Sequence, residues 1–355
     1  MPSEFDLTLE LARKNQVDYR AMPTAQSAQQ TIKLLFKNWK SFFKSIEGYK
    51  LNPKKYLGQP KLPKYLKKDG HNILIFTNQN CRLKDGYIHF PKKSKIEPLK
   101  TKITSKIKQV RIIPQATCFV VEVVYEKDIQ KVDLVNDTYL SIDLGLNNLV
   151  TSFNNIGENP FIINGKIIKS INHYYNKKKA KLMSYIGNKG VSNRINRLSH
   201  KRECKINDYL HKSSREIVNY CIKHKISTII IGDNKNWKQN INIGKRNNQN
   251  FVSVPFSKLI QMISYKAEEV GIRVKTTEES YTSKIDHLAN EEMKKQEKYL
   301  GRRVKRGLFR SSLDIILNAD VNGAIGIMRK VVPKKVNLTL GGDIGAVLVP
   351  YKTII

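Results

Sequence analysis

Across 355 residues the chain sets 64 Lys and Arg against 30 Asp and Glu, a formal net charge of +34. The excess runs along the whole length instead of forming one amphipathic anchor. That argues against a membrane-surface role and for a polyanionic partner, because each cation that neutralises a phosphate releases condensed counterions. No run of eighteen apolar residues occurs, so neither a membrane span nor a membrane partner is expected. Cys81, Cys118, Cys204 and Cys221 are scattered and form no Cys-x-x-Cys pair, which favours reduced thiols inside a cell. The first residues lack the basic-then-apolar pattern of a secretion signal.

In chain order, Ile32, Leu35, Phe36, Trp39, Phe42, Phe43 and Ile46 recur at spacings of three and four, one face of a helix whose natural place is a core. Lys33, Lys37, Lys40 and Lys44 lie off that stripe. Pro53, Gly58, Pro60 and Pro63 then break regular structure in a connector. From residue 71 to about 128 the pattern changes to short strands at 72–76, 87–90, 110–113 and 117–125, with turns at Asp85-Gly86 and Pro114-Gln115. This predicts a small β-barrel or sandwich.

Beyond residue 138 come three predicted strands, 139–143, 148–153 and 161–168, the last containing an Asn164-Gly165 turn. A basic helical region follows at 171–224, then a buried strand at 228–231 and a polar loop. A helix at 255–270, a strand at 272–276 and a helix at 320–330 complete the series. Three antiparallel strands followed by alternating helix and strand is the element order of the ribonuclease-H-like fold.

That order gives two acidic residues a common context. Asp143 ends the first of those strands, and Asp320 opens the last helix. Taken singly, one is a turn former and the other a helix N-cap. Together, in so basic a chain, they suggest Mg²⁺ held against nucleic acid, since Mg²⁺ prefers hard oxygen ligands. Two such ions about 4 Å apart can stabilise both the attacking and leaving oxygens of a phosphodiester.

The segment Ser141-Ile142-Asp143-Leu144-Gly145-Leu146-Asn147-Asn148-Leu149-Val150-Thr151 resembles the first RuvC motif of the TnpB family, RNA-guided nucleases of bacterial insertion sequences ancestral to the type V CRISPR effectors. Asn318-Ala319-Asp320-Val321-Asn322-Gly323-Ala324 resembles that family's third RuvC motif, and Ser280-Tyr281-Thr282-Ser283-Lys284 its Thr-Ser segment before a zinc ribbon. The resemblance runs from about residue 29 to 330.

Three departures from the family pattern matter. Where TnpB proteins usually carry the second-motif Glu, this chain has Gly232 after Ile229-Ile230-Ile231, followed by Asp233. The site is then inactive, or Asp233 substitutes, or Glu279 supplies the carboxylate from the next strand. Strand alternation turns Asp233 to the opposite face from residue 232. A parallel strand about 4.8 Å away would let Glu279 reach the vacated space, as in a subset of TnpB relatives. The second departure is the zinc ribbon: no cysteine lies between residues 285 and 320, and His287 alone cannot make a four-ligand site, so structural zinc is not expected. The region is expected to hold its shape by packing, or to remain mobile until nucleic acid binds. Third, residues 1–30 show no strand like the one with which relatives open, so the N-terminal part is expected to be shortened.

The expected fold class is thus α+β multidomain: a helical recognition segment with connector (1–70), a small β-barrel wedge domain (71–132) and an RNase H-like RuvC nuclease domain (133–355). The last contains a helical insertion at about 171–224 and a zinc-ribbon-like region without cysteines at about 284–313. The resemblance implies Mg²⁺-dependent, RNA-guided DNA cleavage by Asp143, Glu279 and Asp320, with two Mg²⁺ ions or Mn²⁺ in their place. Its partners would be guide RNA and double- or single-stranded target DNA, in a bacterial cytoplasm and nucleoid. Candidate nucleic-acid contacts are Lys37, Lys40, Lys177, Lys178, Arg194, Arg197, Lys201, Arg202, Lys238, Tyr281, Arg302, Arg303 and Arg306. Trp237, Lys245 and Arg246 are weaker candidates in the same loop as Lys238. The alternatives are a nuclease-inactive RNA-guided DNA-binding protein, and an RNA-independent RuvC-type nuclease or transposase accessory protein.

Overall fold

The computed structural model describes residues 3–66, 70–130, 132–233, 253–305, 307–335, 350–353 and 355. The chain divides into two compact units, 1–127 and 128–355.

In the first unit, α1 (Glu4–Arg13), α2 (Val17–Ala21) and α3 (Ala25–Leu51) precede all the strands. The α3 helix starts where the Thr24 hydroxyl accepts the Ser27 N–H at 3.0 Å, an N-cap that satisfies one of the free donors of the first turn. Its stripe is only partly core. Ile32 and Phe36 are buried, whereas Leu35 and Phe43 stay exposed. Six strands follow: β1 (Leu74–Thr77), β2 (Arg82–Lys84), β3 (Tyr87–His89), β4 (Leu99–Lys100), β5 (Ile107–Pro114) and β6 (Phe119–Tyr125). They pair as two three-stranded sheets, β1-β5-β6 and β2-β3-β4, around one core of Phe76, Cys81, Ile88, Ile107 and Val110. Barrel closure is not among the pairings of the described residues. The two-residue β4 offers too short an edge to carry a ladder round.

The second unit is built on a six-stranded sheet of order β11-β10-β7-β8-β9-β15. β7 (Val135–Leu144), β8 (Asn148–Asn154) and β9 (Phe161–Asn164) form an antiparallel meander. β10 (Ile226–Gly232) lies parallel to β7, and β11 (Arg273–Thr277) parallel to β10. Every residue of β10 is buried, as its unbroken apolar run requires of a strand covered on both faces. Leu140, Ile142, Ile229 and Ile231 pack on one face, in the core shared with α5 (Asn193–Lys223) and α6 (Phe256–Glu268). Tyr139 and Ile230 pack on the other, against α7 (Ala319–Val331). The period of two therefore assigns Ser141, Asp143 and residue 232 to the α7 face. The Ser141 hydroxyl confirms this side by donating to the Ala324 carbonyl at 2.7 Å.

Two elements differ from expectation. The third strand stops at Asn164, and α4 (Lys166–Ser184) begins two residues later. Asn164 Oδ1 accepts the Lys166 N–H at 2.9 Å, and Ile168 and Asn172, four apart, are the buried side chains of the helix. A short apolar run cannot by itself distinguish strand from buried helix. The region before α7 forms a further antiparallel sheet of β12 (Arg302–Lys305), β13 (Leu308–Arg310) and β14 (Ile316–Asn318), anchored by buried Phe309 and Leu317. β15 (Tyr351–Thr353) closes the main sheet beside β9.

Gly165 joins β9 to α4 by close approach. A Cβ there would collide with the Leu146 carbonyl oxygen and lie 3.0 Å from the Leu149 nitrogen, both backbone atoms that cannot rotate away. Gly165→Ala is expected to destabilise the fold by about 1–3 kcal/mol, read as a lower midpoint in thermal or urea unfolding. An unchanged midpoint would show that the β7–β8 turn yields freely.

Candidate active site

Asp143, half-buried near the end of β7, faces α7 at its glycine: a Cβ on Gly323 would sit 2.6 Å from Asp143 Oδ2. Asp320 is the second residue of α7, whose N-cap, Asn318, accepts the Asp320 and Val321 N–H groups at 2.9 and 3.3 Å. A carboxylate in the first turn is favoured by the helix dipole. Asn148, at the start of β8, donates from Nδ2 to Asp320 Oδ2 at 2.7 Å and fixes its orientation.

Glu279 arrives from the chain just after β11. The register pairs Gly232 with Thr277 and the Asp233 N–H donates to the Thr277 carbonyl at 2.8 Å, so the parallel ladder runs to the ends of both strands. The backbone of Glu279 is then pinned by Thr282, whose N–H and hydroxyl both donate to the Glu279 carbonyl, at 3.2 and 2.9 Å. Lys330 braces the same turn from α7, donating to the Glu278 carbonyl and to the Ser280 hydroxyl at 3.0 and 2.9 Å. The Glu279 side chain occupies the volume that a side chain at 232 would need. A Cβ on Gly232 would collide with Glu279 Oε1 and lie 2.7 Å from Glu279 Cγ.

The three carboxylates interact. Burial, followed by the charges of Glu279 and Asp320, pushes the Asp143 carboxyl well above its ordinary value, with Arg303 on β12 opposing. Burial and then Asp233 push Glu279 up to about 7, with Lys330 opposing. Among the described residues no three His, Cys, Asp or Glu side chains form a ready-made metal cluster, so the carboxylates form an open set. The donor chemistry nevertheless fits a hard cation. All three groups offer oxygen, the glycines at 232 and 323 let Glu279 and Asp143 lie directly against the backbone, and the buried Thr151 hydroxyl, directly across the ladder from Asp143, has no hydrogen-bond partner.

The segment after Thr282 is held by a polar knot. Asp286 is fully buried and accepts from the Ser311 hydroxyl at 2.8 Å, the Ser312 N–H at 2.6 Å, the Ser312 hydroxyl at 2.9 Å and the Ala289 N–H at 3.2 Å. Burial alone would raise its carboxyl, but these bonds outweigh it and hold the group below the usual carboxylate range. Buried Glu291 accepts the Asp286 and Leu300 N–H groups at 2.7 and 3.0 Å. His287 lies between the Thr282 carbonyl and Arg329 Nη1, at 2.7 and 2.9 Å. Burial lowers it to about 4, so it is neutral, with Nε2–H donating to Thr282 and Nδ1 accepting from Arg329. The packing expected to hold this region is present at Ile285 and Phe309, and these hydrogen bonds add to it. Nothing periodic in the sequence links residues 286 and 311.

Of the basic candidates, Lys37, Lys40, Lys177, Lys178, Arg194, Arg197, Lys201, Arg302 and Arg303 are exposed, as is Tyr281. Arg202 is engaged within the protein: Nε donates to Asn172 Oδ1 at 2.6 Å, Nη2 to the Ser253 carbonyl at 3.2 Å, and the guanidinium lies 5.1 Å from the Tyr175 ring centroid. Trp237, Lys238, Lys245, Arg246 and Arg306 lie outside the described residues. Sequence reasoning missed the roles of Asn148 and Lys330, although the Asn147-Asn148 pair lay inside a motif it had singled out.

Comparison with known proteins gives this geometry its context. A family model described as a probable transposase (OrfB_IS605) matches residues 121–238, and one described as a Cas12f1-like TNB domain matches residues 256–327. A TnpB-like protein of Methanocaldococcus jannaschii is 29% identical over 121 residues, 33% of this chain and 43% of that protein, so the match spans less than half of the relative. Among solved structures, a Cas12f1–sgRNA–target DNA complex resembles the chain with a TM-score of 0.52 at 15% identity, over 85% of this chain and 70% of that one. The fold is therefore a mixed α/β architecture of the Cas12f1 kind. The matched family models and the curated relative are of TnpB, insertion-sequence transposase and Cas12f1-like proteins, which is what this chain is similar to. No described helix is long and apolar enough to cross a membrane.

Two stability measurements follow from the charges. Glu279 has a folded value above its unfolded one, so its favourable contribution is complete below the unfolded value and is lost as pH rises through about 7. In chelator, Glu279→Gln is therefore expected to gain stability over wild type between pH 5 and 8, by roughly 2 kcal/mol. Mn²⁺ should stabilise wild type more than the variant. A pH-independent difference would contradict this. Asp286 has the opposite sign: its contribution is lost as pH falls through its lowered folded value. Asp286→Ala should cost about 3 kcal/mol or more at neutral pH by urea unfolding, because buried donors are left unpaired.

Proposed function

We propose that the chain is an RNA-guided DNA endonuclease that hydrolyses phosphodiesters in a RuvC-type site built from Asp143, Glu279 and Asp320. The observation that carries the reading is the Glu279 side chain filling the space beside Gly232 on the face that also bears Asp143. Residues 1–70 would serve as a recognition segment and 71–132 as a wedge. Residues 133–355 would be the RNase H-like nuclease domain, with the 171–224 insertion and the cysteine-free 284–313 region. Guide RNA would supply most of the sequence reading by base pairing, while the basic surface holds the A-form duplex by its backbone.

Asp143, Glu279 and Asp320 would hold Mg²⁺, or Mn²⁺ in its place. When bound, the ion supplies Lewis acidity to phosphoryl oxygens and makes water a better nucleophile at neutral pH. The chain's own groups prepare the site. Burial and mutual repulsion make Asp143 and Glu279 reluctant to ionise together, so the cluster favours an approaching positive charge. Asn148 holds Asp320 in one orientation, and Thr282 and Lys330 hold the turn that presents Glu279. Arg303, close enough to Asp143 to oppose its rise, would pair with the phosphate of the strand to be cut. Structural zinc is not part of this reading, since the sequence offers no cysteine between residues 285 and 320.

The test is cleavage of a plasmid target by the protein with its copurifying RNA in Mg²⁺. Glu279→Ala should lower cleavage by about 10²-fold or more while leaving guided binding intact. Asp233→Ala, whose backbone rather than side chain extends the ladder, should do much less. Cleavage by Glu279→Ala equal to wild type would overturn the relocated carboxylate. A wild type that binds guided target without ever cutting it would make the protein a binder only.

A further inference from the structure

Among the described residues three buried side-chain polar atoms have no hydrogen-bond partner: Arg111 Nε in the first unit, Asn322 Oδ1 on α7 and Thr151 Oγ1 on β8. The first two belong to side chains that are engaged through another atom. Arg111 Nη2 pairs with Glu122 at 2.9 Å, and Asn322 Nδ2 donates to the Ile285 carbonyl at 2.9 Å. Thr151 has no second polar atom, and it is 1% exposed. The same strands satisfy their other buried hydroxyls: Ser141 donates to the Ala324 carbonyl at 2.7 Å and Ser152 to the Phe161 carbonyl at 3.2 Å. A valine of the same shape would fill position 151 without burying an unpaired donor. The hydroxyl is therefore a cost that packing does not explain.

Its direction is fixed by the ladder. Thr151 pairs with Asp143 across β7 and β8, flanked by the pairs Leu144 with Val150 and Ile142 with Ser152. Leu144, Val150 and Ile142 pack in the core shared with α5 and α6, so Thr151 and Asp143 share the α7 face. Side chains directly opposite on one face have Cβ atoms about 4.5–5.5 Å apart, a span that a hydroxyl and a carboxylate can bridge. The Asp143 carboxylate lacks a donor as well: burial and neighbouring charges account for its raised value, with no hydrogen bond among the causes. An unused donor and an unserved acceptor thus stand on one rung.

The path of β8 makes this a repeated arrangement. Asn148 pairs with Asn164 and Val150 with Ile163, so β8 carries one extra residue between them. Such a bulge re-aims the side chains beside it. Leu149 and Val150 both enter the α5–α6 core, and Asn148 and Thr151 on either side of them both turn to the aspartates. Asn148 already donates to Asp320. The bulged strand thus sets one donor against each aspartate.

We propose that Thr151 is a positioning residue whose hydroxyl donates to the Asp143 carboxylate when that group takes up a cation, as Asn148 does for Asp320. The inference rests on the carboxylate site proposed above and adds the group that orients its first acid. Partners of this outer kind are worth about 10–100-fold in metal affinity.

The probe is Mn²⁺ alone, titrated by electron paramagnetic resonance against the full chain with its copurifying RNA. Asp143→Asn measures the ions held by RNA and by the rest of the surface. Thr151→Val should weaken the remaining Mn²⁺ binding about tenfold or more. In chelator it should unfold at a higher temperature than wild type, because the unpaired hydroxyl is gone. Thr151→Ser, which keeps the hydroxyl, should hold Mn²⁺ as wild type does. A merely structural threonine would lose stability and affinity together, so the opposite signs carry the test. Wild-type Mn²⁺ affinity in Thr151→Val, or a Thr151→Ser as weak as Thr151→Val, would overturn the role of Thr151 and leave the carboxylates standing. Equal binding by Asp143→Asn and wild type would remove the carboxylate site and this inference with it.

Discussion

A side chain at residue 232 and the carboxylate of Glu279 cannot occupy the same volume. A Cβ on Gly232 would collide with Glu279 Oε1 and come within 2.6 Å of Ile327 Cδ1. The arrangement of the carboxylate face follows from this exclusion. β10 ends without a side chain, the parallel β11 runs one strand spacing away, and the turn after it sends Glu279 back across the gap. α7 closes over the same place, bringing Gly323 against Asp143 and setting Asp320 at its first turn. Three acids on one half-buried face are costly in a metal-free protein, as the raised values of Asp143 and Glu279 show. That strain is characteristic of sites arranged for something other than stability.

What keeps this face in register is polar. α7 reaches the sheet through β14, whose last residue, Asn318, is also the N-cap of the helix. The chain between Thr282 and β14 is folded back on itself by Asp286 and Glu291, which gather backbone N–H groups and serine hydroxyls from segments up to 26 residues apart. A single buried carboxylate with several donors is strongly stabilised in its charged form, and here it ties the Ser311-Ser312 segment to the turn after Ile285. Arg329 and His287 extend the same network to the far end of α7. The position of Asp320 thus depends on residues that never approach the carboxylates.

How much of this was legible in the sequence depended on whether a residue belonged to a period. Ile229, Ile230 and Ile231 alternate between two cores as a strand must, and the same alternation puts Asp143 and residue 232 on one face. The parallel pairing of β10 and β11 followed from the element order, and the reach of Glu279 toward the gap at 232 from strand spacing together with the resemblance to a subset of TnpB relatives. Where periods were short or absent the reading failed. Residues 166–168 looked like the end of a strand but open a helix, because so short an apolar run has no period to tell the two apart. No element was expected at Arg302 and Arg303, which form an exposed edge strand with no apolar alternation to announce it. The Asp286 knot and the Asn148–Asp320 bond are long-range pairings between polar side chains, which no local pattern reports.

The central claim is that Glu279, and not Asp233, completes the carboxylate set with Asp143 and Asp320. Anomalous diffraction from crystals grown with Mn²⁺ would test it most directly. The account predicts a manganese peak contacted by oxygens of Asp143, Glu279 and Asp320. A peak bound by Asp233 with Glu279 turned away, or by the two aspartates with Glu279 out of contact, would contradict it.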